Sequence, residues 1–100
     1  DIIVECDGRT LWISVKGYPR GTPKTNSATQ ARHWFCHALF DLVLYRDESD
    51  SAELALGLPD GFVTYPNLAD RVTWLRAHLP FTIYWVSKTG KVRSQCVAHP

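Results

Sequence analysis

The chain has no long apolar run. Nothing in its 100 residues approaches the roughly 20 consecutive apolar residues of a membrane-spanning helix, and no secretory leader pattern is visible. Cysteine is scarce. Cys6, Cys36 and Cys96 are too few and too scattered for a disulfide framework, and an odd number leaves one unpaired. A reducing cytoplasm is the expected setting. There is no glycine-rich phosphate loop, no zinc-ribbon pattern, no internal repeat and no linker. The net charge is only +1, so the total says nothing about nucleic acid.

One further absence is local. No acid lies between Gly8 and Arg32, a stretch that carries Arg9, Lys16, Arg20, Lys24 and Arg32. The balance reverses from Asp41 to Asp60, where Asp41, Asp47, Glu48, Asp50, Glu53 and Asp60 face a single Arg46. Such segregation can attract phosphate locally, although ordinary solvated loops also carry charges of this kind.

What is present reads as one α/β domain over 1–100. Ile2-Ile-Val4 and Thr10-Leu-Trp-Ile-Ser-Val-Lys16 flank Asp7-Gly8, the signature of a tight β-hairpin. Two glycines and two prolines between Gly17 and Asn26 mark a loop. A helix should start near Ser27, capped by Asn26 or Ser27, and end in the polar stretch from Arg46 to Ser51. Its apolar stripe is Ala31, Trp34, Phe35, Ala38, Leu39, Leu42 and Val43. Leu54 to Leu58 reads as a buried strand closed by Pro59-Asp60-Gly61. Asn67 should cap a second helix containing Leu68, Val72, Leu75 and Leu79, stopped by Pro80. Phe81 to Val86 is β-prone, and Lys88 to Lys91 is a turn leading to a short returning strand at Val92. Strands alternating with helices predict a mixed sheet flanked by helices.

A two-residue turn at Asp7-Gly8 sets the hairpin register. Cys6 then faces Arg9, Glu5 faces Thr10, Ile3 faces Trp12 and Asp1 faces Ser14. Lys16 lies two residues beyond Ser14, on the same side of the sheet. An aspartate, a hairpin, then Ser14-Val-Lys16 resembles the core of the PD-(D/E)XK (restriction-endonuclease-like) nucleases, with serine where the family has an acid. Gln30-Ala-Arg-His-Trp34 resembles the Gln-x-x-x-Tyr motif of the RecB-like branch, with Trp34 for tyrosine. The resemblance covers nearly the whole chain. Because the pattern opens at Asp1, it also implies a fragment that lacks the helix preceding the first strand.

The resemblance implies Mg²⁺- or Mn²⁺-dependent phosphodiester hydrolysis on DNA. Asp1 would be the metal ligand and Lys16 the catalytic lysine, with Ser14 and Gln30 as supporting polar groups. A subset of restriction enzymes is similar in having Ser-x-Lys, with the lost carboxylate supplied from the next helix; here the expected helix position is Gln30, an amide. Tyr18 would stack on a base, and Arg20, Lys24 and Arg32 would contact phosphates. The alternative is a non-catalytic descendant, a nucleic-acid- or protein-binding module of a restriction or repair system, acting as a homodimer or within a larger protein. His33 and His37 have i, i+4 spacing beside Cys36, which can bind zinc, but Trp34 stands where a zinc-protease signature has glutamate. The plainer expectation puts both histidines on the flank of the packed stripe, Cys36 in the core as a small apolar group, and Trp34 and Trp74 in the core.

Overall fold

A computed structural model of the chain describes residues 2–95. Its elements are β1 (Ile2–Cys6), β2 (Arg9–Val15), α1 (Ser27–Glu48), β3 (Glu53–Pro59), α2 (Thr64–Asp70), α3 (Thr73–His78), β4 (Thr82–Val86) and β5 (Val92–Gln95). The strands form one mixed sheet in the order β1-β2-β3-β4-β5. The outer pairs are antiparallel hairpins, and β2, β3 and β4 run parallel.

The first hairpin has the expected register, with Ile3 opposite Trp12 and Cys6 opposite Arg9. Asp7 and Gly8 both adopt positive φ, 51° and 77°, as the tight hairpin turn requires. Parallel strands need crossovers of a dozen residues or more, here made through helices. The strands follow one another in order across the sheet, so crossovers of one hand leave their helices on one face. Ala31, Phe35, Ala38 and Leu42 of α1 and Tyr65 and Ala69 of α2 accordingly share one core with Leu54, Leu56, Leu58, Ile83 and Trp85. The expected sheet flanked by helices is, among the described residues, a sheet covered on one side.

The opposite face is apolar and open. Ile2 and Ile13, Val4 and Leu11, and Val86 and Val92 are cross-strand neighbours there. Ile2 remains 48% exposed and Val92 59%. The small residues Ala55 and Gly57 form its centre line, and a Cβ on Gly57 would come within 3.2 Å of the Val15 side chain.

Four expectations need correction. The second helix is two short ones: Val72 leaves helical geometry at φ −111°, ψ 30°, and Asn67 lies inside α2 instead of capping it. Trp74 is 72% exposed, stacked against His78 on the outer side of α3. Val43 is exposed, because the sheet-facing arc of α1 centres on Phe35, Ala38 and Leu42 and Val43 lies past its edge. Cys36, between the exposed His33 and His37, is likewise exposed and is a free thiol.

Tyr65 links this core to the top of the sheet. The ring is fully buried, and its hydroxyl donates to the Gly17 carbonyl at 3.3 Å. Burial pushes its pKa up to about 12. The folded chain therefore keeps this proton above pH 10, where the unfolded chain releases it. Stability should fall as pH rises from about 10 to about 12, by up to about 1.4 kcal/mol per pH unit. Tyr65→Phe should remove that part of the alkaline decline in denaturant melts; identical slopes for both proteins would contradict the assignment.

Candidate functional site

Two features stand out at the carboxyl ends of the parallel strands. The first is a buried polar contact beneath α1. On the helix-covered side of β2, β3 and β4 the inward residues are Trp12, Leu54, Leu56, Leu58, Ile83 and Trp85, with Ser14 among them. Ser14 is 0% exposed. A buried hydroxyl must find a partner, and Ser14 Oγ donates to Asp41 Oδ2 at 2.7 Å. Asp41 stands three residues after Ala38 and seven after Trp34, on the flank of α1 that overlies β2. Lys16, just past the end of β2, brings its Nζ to 3.8 Å from the same carboxylate oxygen. Both ion-pair side chains are about a quarter exposed, 24% and 27%, so the cluster reaches from the core to solvent.

Two buried donors lie close by. Trp12 and Tyr45 meet edge-on with centroids 5.2 Å apart, and among the described residues their Nε1 and hydroxyl are buried without a partner. Burial, with the Asp41 and Glu48 carboxylates nearby, raises the Tyr45 pKa above the usual phenol value.

The second feature is charge polarity along the strand axis. The loop after β2, the start of α1 and the β4–β5 turn all lie at the carboxyl end of the parallel strands. That end carries Lys16, Arg20, Lys24, Arg32, Lys88 and Lys91; of these Lys16 is paired with Asp41, and the nearby Asp60 is paired with Arg93 at 3.2 Å. The opposite end carries Glu5, Asp7, Asp47, Glu48, Asp50 and Glu53, against Arg9 and Arg46. Arg9 pairs with Glu53, and Arg46 donates to the Ser49 and Asp50 carbonyls. The low net charge hides a basic pole and an acidic pole.

Ser14 and Lys16 share one site, as the register predicts. Asp1 lies outside the described residues. Gln30 is engaged elsewhere: its Oε1 accepts from the backbone N–H of Arg20 and of Gly21, at 3.1 and 3.0 Å. The acid on the helix is instead Asp41, eleven residues and about 16 Å further along α1. The reason is geometric: Gln30, in the first turn of α1, is level with the Arg20–Gly21 loop, and Ser14 lies level with Asp41, further along the helix. A carboxylate aligned with Trp34 and Ala38 on an otherwise apolar flank was the signal available in the sequence.

Tyr18 is held as a strut, with its hydroxyl donating to the Asp60 carbonyl at 2.6 Å and Lys88 Nζ 5.3 Å from its ring centre. It is therefore not a free stacking platform. Arg20, Lys24 and Arg32 are exposed at the basic end. A hard divalent cation asks for several oxygen ligands. The Ser14–Lys16–Asp41 cluster supplies one carboxylate, already engaged by a serine and faced by an ammonium, and the described residues contain no group of three His, Cys, Asp or Glu able to hold a metal. These residues alone do not fit a Mg²⁺ or zinc site.

No protein-family model matches the chain, and neither a curated protein nor a solved structure does. No helix among the described residues is long and apolar enough to cross a membrane.

If Asp41 is what satisfies the buried Ser14 hydroxyl, its removal strands that group. Asp41→Ala should cost about 2–3 kcal/mol and Ser14→Ala about 1–2 kcal/mol in denaturant unfolding. Their double variant should cost at least about 1 kcal/mol less than the two losses added. Simple additivity would show that the two side chains do not depend on each other.

Proposed function

We propose that this chain is a nucleic-acid-binding domain of the PD-(D/E)XK nuclease-like kind, working in the cytoplasm as a module of a restriction or repair system. The observation that carries the reading is the basic pole. Six cations from three separate segments meet at one end of the sheet, where Asp60 is paired with Arg93 and Asp41 engages Lys16 and Ser14. A polyanion approaching that end is attracted along its whole contact length, and phosphate contacts of this kind fix position without reading sequence. The order hairpin, helix, strand, helices, strand supports the family reading. So does the Ser14-Val-Lys16 tripeptide with an acid supplied from the following helix, Asp41.

Hydrolysis is the second reading, favoured by that same Asp41, which stands beside Lys16 as the carboxylate that Ser14 does not provide. The described residues do not complete a metal centre, so the reading rests on Asp1 as a second carboxylate.

One titration series tests both. Binding to a mixed-sequence DNA duplex should weaken with salt, at a log–log slope of about −3 if Arg20, Lys24 and Arg32 each neutralise one phosphate. Charge reversal at the three positions should flatten the slope and weaken binding to all sequences alike. Binding indifferent to salt, or surviving the triple reversal, would overturn the interface. For the second reading, Mg²⁺ or Mn²⁺ should raise the melting temperature of the wild type and not of Asp1→Asn. No response in either protein would remove hydrolysis and leave binding alone.

A further inference from the structure

The first turns of α1 and one side of α2 enclose a groove of about 300 Å³. Ala28, Thr29 and Arg32 line it from α1, and Thr64, Asn67 and Leu68 of α2 with Arg71, its C-terminal cap, from the other side. These last four residues fall at i, i+3, i+4 and i+7, one continuous stripe of a short helix. A stripe that borders a packed helix is usually apolar, but this one is polar at three of its four positions. The lining contains two guanidinium groups, two hydroxyls and a carboxamide, all hydrogen-bond donors, and no acid. Among the described residues neither the Arg32 nor the Arg71 guanidinium has an ion-pair or hydrogen-bond partner, and both residues are exposed. Two like charges lining one groove repel each other unless an anion lies between them. The groove opens at the basic pole, because Arg32 is in the second turn of α1 and Tyr65 of α2 is tied to Gly17 just past β2.

We infer that this groove is a phosphate subsite, in which Arg32 and Arg71 together hold one backbone phosphate of a bound DNA strand while Thr29, Thr64 and Asn67 donate to its remaining oxygens. The inference rests on the proposed DNA-binding function and deepens it. It adds Arg71, an arginine outside the basic segment of the sequence, and sets the path of the strand from the loop after β2 across the α1–α2 junction. A planar, delocalised guanidinium suits a phosphate better than an ammonium does, so Arg71→Lys should retain part of the effect that Arg71→Ala removes.

The test is a double-mutant cycle on a fluorescently labelled mixed-sequence duplex, read by anisotropy between about 50 and 200 mM salt. Both arginines are exposed, so the variants should melt as the wild type does. Arg71→Ala and Arg32→Ala should each weaken binding about five- to tenfold and reduce the magnitude of the salt slope by about 1. The double variant should lose clearly less than the product of the single losses, because each arginine holds the same phosphate. Arg20→Glu with Lys24→Glu is the control for the wider interface. If that control abolishes binding while Arg71→Ala leaves affinity and slope unchanged, the subsite is wrong and the proposed function stands. Multiplicative single losses would likewise overturn the shared phosphate. If the wild type binds no duplex, the proposed function fails and the subsite with it.

Discussion

Parallel strands cannot be joined by a tight turn; each step from one to the next must leave the sheet, cross it and return. In this chain that constraint operates twice, from β2 to β3 through α1 and from β3 to β4 through α2 and α3. Both crossings advance in the same direction, so their helices cover the same face. The rest of the architecture follows. Every segment that leaves a parallel strand does so at one end of the sheet, which gathers the loop after β2 and the β4–β5 turn. Charges dispersed in the sequence become a basic pole and an acidic pole. The same constraint leaves the face bearing Ile2, Ile13, Tyr84 and Val92 without a covering helix among the described residues.

It also explains the Ser14 contact. A long helix returning over β2 covers the inward side of that strand, and Ser14 is the polar residue fully buried there. Serine and aspartate satisfy each other at 2.7 Å, and Lys16 at the strand end keeps the carboxylate from being an isolated charge. The arrangement is a structural bond that opens to solvent on one side. That double character suits a site in which a lysine and an acid face a phosphate. The same pair also holds α1 on the sheet.

Most of the fold was legible in the sequence. The Asp-Gly turn set the hairpin register, the spacing of Ala31, Phe35, Ala38 and Leu42 set the packed arc of α1, and Asn26 caps that helix through Thr29 N–H. Local signals served less well where tertiary geometry decides. The break at Val72 has no glycine or proline to announce it. Trp74 and Cys36 are apolar residue types that fall on outward positions. The site was half legible: period two placed Ser14 and Lys16 together, but the partner on α1 depends on which turn of the helix lies level with Ser14. Sequence distance therefore favoured Gln30, and the structure gives Asp41. Nothing in the sequence marks Arg71, because its groove forms between two helices far apart in the chain.

The central claim is that nucleic acid is held at the basic end of the sheet and nowhere else. Amide chemical-shift mapping during titration with a DNA duplex tests it directly. Shifts should concentrate in residues 16–32, 64–71 and 87–91, while residues 46–53 at the acidic end and residues 2 and 4 on the open side of β1 stay unmoved. Shifts centred on the acidic end or the open face, or spread evenly over the chain, would contradict it.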